Sequence, residues 1–474
     1  MADDDILSLS ATGIAARVGN GSMSAAEVAA AFTARVDAIN PTINAVCTLN
    51  PDFQDEAALI DARLASGETP RALEGVPMVV KDIIQTAGIR TTFGSRIRED
   101  WVPDEDALSV ERLKAAGAVI LGKTNTPEFA HDINTKNALF GVTRNPWDPA
   151  VTAGGSSGGT AAAIAAGMVP GGLGTDLGGS IRIPAAFCGI AGLRPTPGRV
   201  AVYPAEFGWD TLVEHVQGPM AASVDDLGLM LSVLAGPDDR DPSSLPASTH
   251  DYVAAAAGQT KIDGARIAFC RDFGGVAPME PEVADLAVQA GEVFADIGCT
   301  VETACFDLDG LAEIIAGSRA FGMVGRYADL LDEHRDIMTP PLLDQASQAM
   351  TFDVRTITDA ERLRTEYWHR VRRLLADFDF ILTPTLGIPA FALDGAMPFD
   401  VGGRKVERFL DLILTTYAFS VTGLPAASVP CGFTASGLPV GLQIVGHRHR
   451  DDRVLAAAAA FETARPEHFR RVLD

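Results

Sequence analysis

Ser180 closes the run Gly174-Thr175-Asp176-Leu177-Gly178-Gly179-Ser180 and is followed by Ile181-Arg182. Consecutive glycines before a serine leave successive backbone N–H groups unobstructed, and such groups can form a nest for negative charge. Serine hydrolysis needs that feature, together with a nucleophile and a base to take its proton. A Gly-Gly-Ser turn is common, so the run is not sufficient evidence alone. Gly154-x-Ser156-x-Gly158 matches the nucleophile elbow of α/β-hydrolases letter for letter. That elbow needs a strand directly before it. Here Asn145-Pro146-Trp147-Asp148-Pro149 reads as turns, so the match is a decoy for that fold. None of the eight histidines carries a recognisable motif, although a triad histidine can lie anywhere in sequence. His447-x-His449 reads as a surface loop pair rather than a metal site. Cys188, eight positions beyond Ser180, reads as a buried core thiol.

These residues need a scaffold. Val76-Pro77-Met78-Val79-Val80 is short, apolar and β-branched, and reads as a buried strand whose end delivers Lys81. Ser24-Ala25-Ala26-Glu27 has the form of a capping box ahead of a helix through Val28, Phe32, Val36 and Ile39. Helices are expected over about 54–65, 107–116, 160–166, 281–297, 359–376 and 452–463. Strands are expected at 118–121, 267–269, 380–382, 427–429 and 440–445. Such alternation points to an α/β fold. Between Ala153 and Gly198 the chain is crowded with glycine, read as sharp turns and close approaches around the 160–166 helix. A flexible linker also uses Gly and Ser, but the Ile, Leu, Val and Phe interleaved here argue against one. Gly236–Pro246 is the best candidate for an exposed connection. One large sheet with an inserted helical region over about 236–376 is favoured over separate domains, with the core motifs at about 75–200.

The whole chain restricts the function classes. Hydrophobic residues make up 47% and charged residues 21%, a globular mixture that excludes disorder. With 62 acidic against 38 basic residues the net charge is −24, which disfavours nucleic acids and anionic membranes as partners. The dispersed six cysteines form no C-x-x-C pair and are read as free thiols in a reducing compartment. Met1-Ala2-Asp3-Asp4-Asp5 lacks the basic and apolar regions of a signal peptide, and no apolar run reaches membrane-spanning length. A soluble cytoplasmic protein is expected.

Taken in order, the motifs resemble one family. Gly154-Gly155-Ser156-Ser157-Gly158-Gly159, then Gly174 to Arg182 and Pro184, is similar to the defining block of the amidase signature family. Gly75-Val76-Pro77 through Lys81-Asp82 resembles its lysine strand, and Gly122-Lys123-Thr124-Asn125 with Glu128-Phe129 its next block. Thr422-Gly423-Leu424-Pro425-Ala426 and Gly437 to Gln443 resemble its C-terminal signature. The resemblance covers about residues 8–464. It implies a single α/β domain with a large twisted mixed sheet flanked by helices, and a Ser–cis-Ser–Lys triad. By position, Ser180 becomes the nucleophile and Ser156, after a cis peptide from Gly155, the proton relay. Lys81 becomes the base, and the N–H groups of Leu177, Gly178, Gly179 and Ser180 the oxyanion hole. Arg182 either shapes the site or forms a structural ion pair.

The implied activity is cleavage of carbon–nitrogen bonds in neutral aryl or alkyl amides without metal, cofactor or partner chain. Ile183, Phe207 and Trp209 are candidate substrate contacts because their surroundings are apolar and aromatic. The same machinery suits an esterase or urethanase acting on esters or carbamates. A glutamine-hydrolysing subunit of a tRNA-dependent amidotransferase is disfavoured. That subclass commonly reads Ser-Ile-Arg-Gln-Pro, whereas Ile183 stands in the glutamine's place, and 316–350 lacks its Tyr-rich block. A non-catalytic binding protein is disfavoured because all three triad residues are present. Assembly into a homodimer is left open.

Overall fold

The computed structural model describes residues 6–205, 207–208, 215–394, 400–406 and 408–472. Eleven strands form one sheet: β1 (Val46–Leu49), β2 (Pro77–Lys81), β3 (Val119–Thr124), β4 (Gly171–Asp176), β5 (Ala191–Arg194), β6 (Val216–Ala221), β7 (Arg266–Phe269), β8 (Thr300–Thr303), β9 (Phe380–Pro384), β10 (Ala426–Phe433) and β11 (Pro439–Gly446). Their spatial order is β1-β3-β2-β4-β6-β5-β10-β11-β9-β7-β8. The pairs β3–β2, β2–β4, β9–β7 and β7–β8 are parallel. The others are antiparallel, so the sheet is mixed, as expected.

Parallel strands are covered on both faces and therefore read as continuous apolar runs. Every residue of β2 is buried, including Lys81 at its C-terminal end. The chain then crosses over through helix Leu108–Ala115 and returns as parallel β3, with Val80 opposite Lys123. Helix Gly158–Ala165 is buried along its whole length, as suits a sequence apolar all round. Helix Ala25–Ile43 begins with the expected box: Glu27 N donates to Ser24 Oγ (3.1 Å) and Ser24 N to Glu27 Oε2 (2.9 Å).

Three expectations are corrected. The glycine-rich segment read as sharp turns and close approaches also contains strands β4 and β5, and its close approaches are made within the sheet. A Cβ at Gly172 would stand 2.7 Å from Val79 and 3.0 Å from Thr160. The 236–376 region is not purely helical, since it contributes β7 and β8; the helical insertion proper comprises Leu311–His334, Pro340–Ala349 and Val354–Leu375. Leu342 and Ala346 from the second of these helices pack with Ala320, Met323 and Tyr327 of the first, and with Phe129 from the loop after β3, in a small core of their own. Finally, the cysteines are not all free. Cys270 and Cys305 are 35 positions apart, but they follow the parallel neighbours β7 and β8 and are joined in a disulfide. Cys47, Cys188, Cys299 and Cys431 remain thiols. Among the described residues, no helix is long and apolar enough to cross a membrane.

Candidate active site

Strands β2 and β4 are parallel neighbours, so their C-terminal ends open on the same edge of the sheet. Ligands in open α/β sheets gather at such edges. Lys81 arrives there from β2 and Thr175 from β4. Lys81 Nζ donates to Ser156 Oγ at 2.6 Å and to Thr175 Oγ1 at 2.9 Å. Lys81 is fully buried and Ser156 is 1% exposed. Burial holds the lysine pKa well below its usual value of 10.5, against the opposing field of Asp176. A buried lysine without a carboxylate in ion-pair contact is biased toward the neutral amine, which has a lone pair for a hydroxyl proton.

Ser156 lies between a loop and a helix rather than after a strand. The Gly155–Ser156 peptide is cis. Ser157 N donates to Ser180 O (3.1 Å), and Thr126 Oγ1 to Ser156 O (3.0 Å), joining the serine loops to the segment after β3. Ser180 is half-buried and lines, with Ser156, Thr175, Leu177 and Gly178, a cavity of about 640 Å³. That volume is typical of a small-molecule site.

The chain turns sharply between Asp176 and Ser180. A Cβ at Gly178 would overlap the Tyr417 ring, so only glycine lets this aromatic side chain lie against the loop. Asp176 holds the turn from inside: its Oδ1 accepts from Gly179 N at 2.8 Å and its Oδ2 from Ile181 N at 3.2 Å. Of the four N–H groups assigned by resemblance to an oxyanion hole, that of Gly179 is therefore committed to Asp176.

Arg182 resolves toward an ion pair that also supports the site. It is fully buried and grips Asp176 with two bonds, Nε to Oδ2 (2.9 Å) and Nη2 to Oδ1 (2.8 Å). Its remaining donors reach Thr416 O, Gln443 Oε1 and Ser420 Oγ. Burial opposes ionisation of Asp176, but Arg182 and Arg194 prevail and hold its carboxyl well below the usual range. The motif around Gln443 thus braces the serine loop from across the sheet.

Of the expected substrate contacts, Ile183 and Phe207 line the cavity, and Trp209 lies outside the described residues. Phe93, Phe129, Tyr327 and Tyr417 add aromatic wall. Polar groups that sequence reasoning missed also face it: His131, Arg319, Arg326 and Gln345. Only the block at Glu128-Phe129 hinted at this wall; Arg319 and Gln345 come from inserted helices that carry no motif. Cys188 is buried away from the cavity lining, with Sγ donating to Ala153 O at 3.4 Å, and burial pushes its thiol well up. His447 bonds the carbonyl of Phe378 at 3.0 Å.

Comparison with known proteins places the whole chain in one family. A family model described as Amidase matches residues 27–455. The chain is 36% identical over 471 residues to an acylamidase of Rhodococcus erythropolis, covering 98% of this chain and 97% of the relative. It is also 36% identical over 491 residues to a glutamyl-tRNA(Gln) amidotransferase subunit of Chloroflexus aurantiacus, covering 98% of each. A solved bacterial aryl acylamidase of the amidase signature enzymes superimposes with a TM-score of 0.90 at 31% identity, covering 97% of both chains. The buried lysine, the cis-linked serine and the glycine-bounded second serine thus occur on a fold and sequence shared along the whole chain, which belongs to the amidase signature family of amidohydrolases.

Proposed function

We propose that this enzyme hydrolyses neutral aryl or alkyl amides through an acyl-enzyme on Ser180. The observation that carries the reading is the contact of buried Lys81 with Ser156 on the wall of the cavity that Ser180 also lines. Neutral Lys81 takes the hydroxyl proton of Ser156, which takes that of Ser180 as Ser180 Oγ bonds to the carbonyl carbon. The oxyanion is met by the N–H groups of Leu177, Gly178 and Ser180, in a loop fixed by the Asp176–Arg182 pair. The proton returns through Ser156 to the leaving nitrogen as the C–N bond breaks. Water then repeats the sequence on the ester and releases the acid.

Apolar and aromatic lining by Ile183, Phe207, Phe93 and Phe129 supports an uncharged acyl or aryl group. The likeness to an aryl acylamidase supports the same choice. The likeness to a glutamyl-tRNA(Gln) amidotransferase makes glutamine the informative competitor. The test compares kcat/KM for a neutral anilide with that for glutamine on the purified chain, with matched ester and carbamate alongside. The anilide should be preferred without added metal, ATP or partner. A preference for glutamine overturns the substrate assignment, and a preference for the carbamate converts it to a urethanase.

A further inference from the structure

Arg319 stands on helix Leu311–His334, far in sequence from both serines, yet it meets three other segments around the cavity. Its Nη1 donates to Tyr417 Oη at 2.9 Å. Its Nη2 lies 3.1 Å from His131 Nδ1 and also donates to Gln345 Oε1. A guanidinium has no acceptor, so His131 Nδ1 must accept, which places the ring proton on Nε2. That nitrogen is 3.1 Å from Tyr327 Oη and donates to it. Burial first, and the adjacent Arg319 second, hold His131 well below its ordinary pKa, consistent with a neutral ring. Arg319 therefore ties the inserted helices to the loop after β3 and to helix Leu414–Ser420.

The Tyr417 end matters for chemistry. Tyr417 is buried, and its ring occupies the space a side chain at Gly178 would fill. The adjacent Thr416 holds the Gly178–Gly179 peptide, with Oγ1 donating to Gly178 O at 2.6 Å while Asp176 takes the N–H of the same peptide. The Gly178 unit is thus held by its carbonyl and by a ring whose hydroxyl is gripped by Arg319. Resting on the acyl-transfer reading above, we propose that Arg319 is a positioning residue which seats Tyr417 against the Gly178 loop and so aligns the N–H groups that receive the oxyanion. It acts through Tyr417, not by binding substrate.

The test is a cycle of Arg319→Gln, Tyr417→Phe and the double variant, with Arg319→Lys as the conservative change, on a neutral nitroanilide. Tyr417→Phe keeps the ring and removes only the hydroxyl that Arg319 holds. Arg319→Gln and Tyr417→Phe should each lower kcat by about tenfold while KM stays within about threefold. The double variant should be no slower than Arg319→Gln, because residues acting as one unit do not add. Arg319→Lys, able to reach the hydroxyl with a single donor, should recover part of the loss. Labelling of Ser180 by a fluorophosphonate should slow in parallel, since the phosphonyl oxygen needs the same N–H groups. Multiplying losses, a change confined to KM, or full kcat in Tyr417→Phe overturns the inference, the last even if Arg319→Gln fails to fold. Wild-type labelling that Ser180→Ala abolishes establishes the nucleophile separately. If the wild type is not labelled, the acyl-enzyme reading falls and takes this inference with it.

Discussion

Lys81 Nζ lies 2.6 Å from Ser156 Oγ, and the second group it touches is another hydroxyl, Thr175 Oγ1 at 2.9 Å. Among the described residues, no carboxylate stands within ion-pair distance of this lysine, while the acid whose field opposes its deprotonation, Asp176, is engaged by Arg182 and Arg194. The ion pair and the proposed base are therefore adjacent but separate. Asp176 directs its charge to arginines and to the N–H groups of the serine loop, which leaves burial free to lower the lysine.

Ser180→Ala and Lys81→Ala should each lower turnover by about a thousandfold or more, as loss of one member of a coupled triad does. Ser156→Ala should be strongly impaired, whereas Cys188→Ala should keep near wild-type activity. Steady-state rates on an anilide, with circular dichroism to show folding, check this. A Ser180→Ala enzyme with a tenth of the wild-type rate would remove Ser180 as nucleophile.

The acid limb of the pH–rate profile should report Lys81. Its burial lowers the pKa from 10.5, and the working form is the deprotonated one. Activity should therefore rise as pH increases through the lowered pKa and fall as the amine is protonated below it. A profile that peaks near about pH 5 and declines by about pH 8 contradicts a lysine base.

Removing one partner of the Asp176–Arg182 pair should destabilise the fold as well as the site. Both groups are fully buried, so Arg182→Met leaves Asp176 with Arg194 as its remaining cation, and Asp176→Asn leaves two buried arginines without their carboxylate. The expected cost is about 3–5 kcal/mol by urea unfolding. A loss of activity with an unchanged denaturation midpoint would show that the pair is not what holds the loop.

Thiol titration in denaturant should find four reactive cysteines before reduction and six after, because Cys270 and Cys305 are paired. Reducing that bridge releases the covalent tie between the ends of β7 and β8, and should lower stability by about 2–4 kcal/mol. Six thiols in the protein isolated without reductant would restore the free-cysteine expectation.

Phe207→Ala should raise KM for an aryl amide by about tenfold, with a smaller change for a short alkyl amide, since it removes aromatic lining from the cavity wall. Equal effects on both substrates would place Phe207 in a packing role instead, against Phe321 at 5.6 Å between ring centroids.

What the sequence determined by itself was local or periodic. The apolar run 76–80 specified a buried strand ending in Lys81, the Ser24–Glu27 box specified a helix start, and the ordered Gly/Ser blocks specified which serines to compare. Periodicity could not separate a glycine-rich strand from a glycine-rich turn, so β4 emerged only where Val79 and Thr160 press on Gly172. Nor could it pair Cys270 with Cys305, since that pairing depends on two parallel strands lying side by side. Arg182 was ambiguous for the same reason: its partners Thr416, Ser420 and Gln443 are more than two hundred residues away along the chain. Arg319 and His131 carried no signal, because their roles consist of long-range hydrogen bonds between an inserted helix and a loop. Residue type and spacing announce a nucleophile and its base, whereas the walls, braces and charge compensation around them exist only after distant segments have packed.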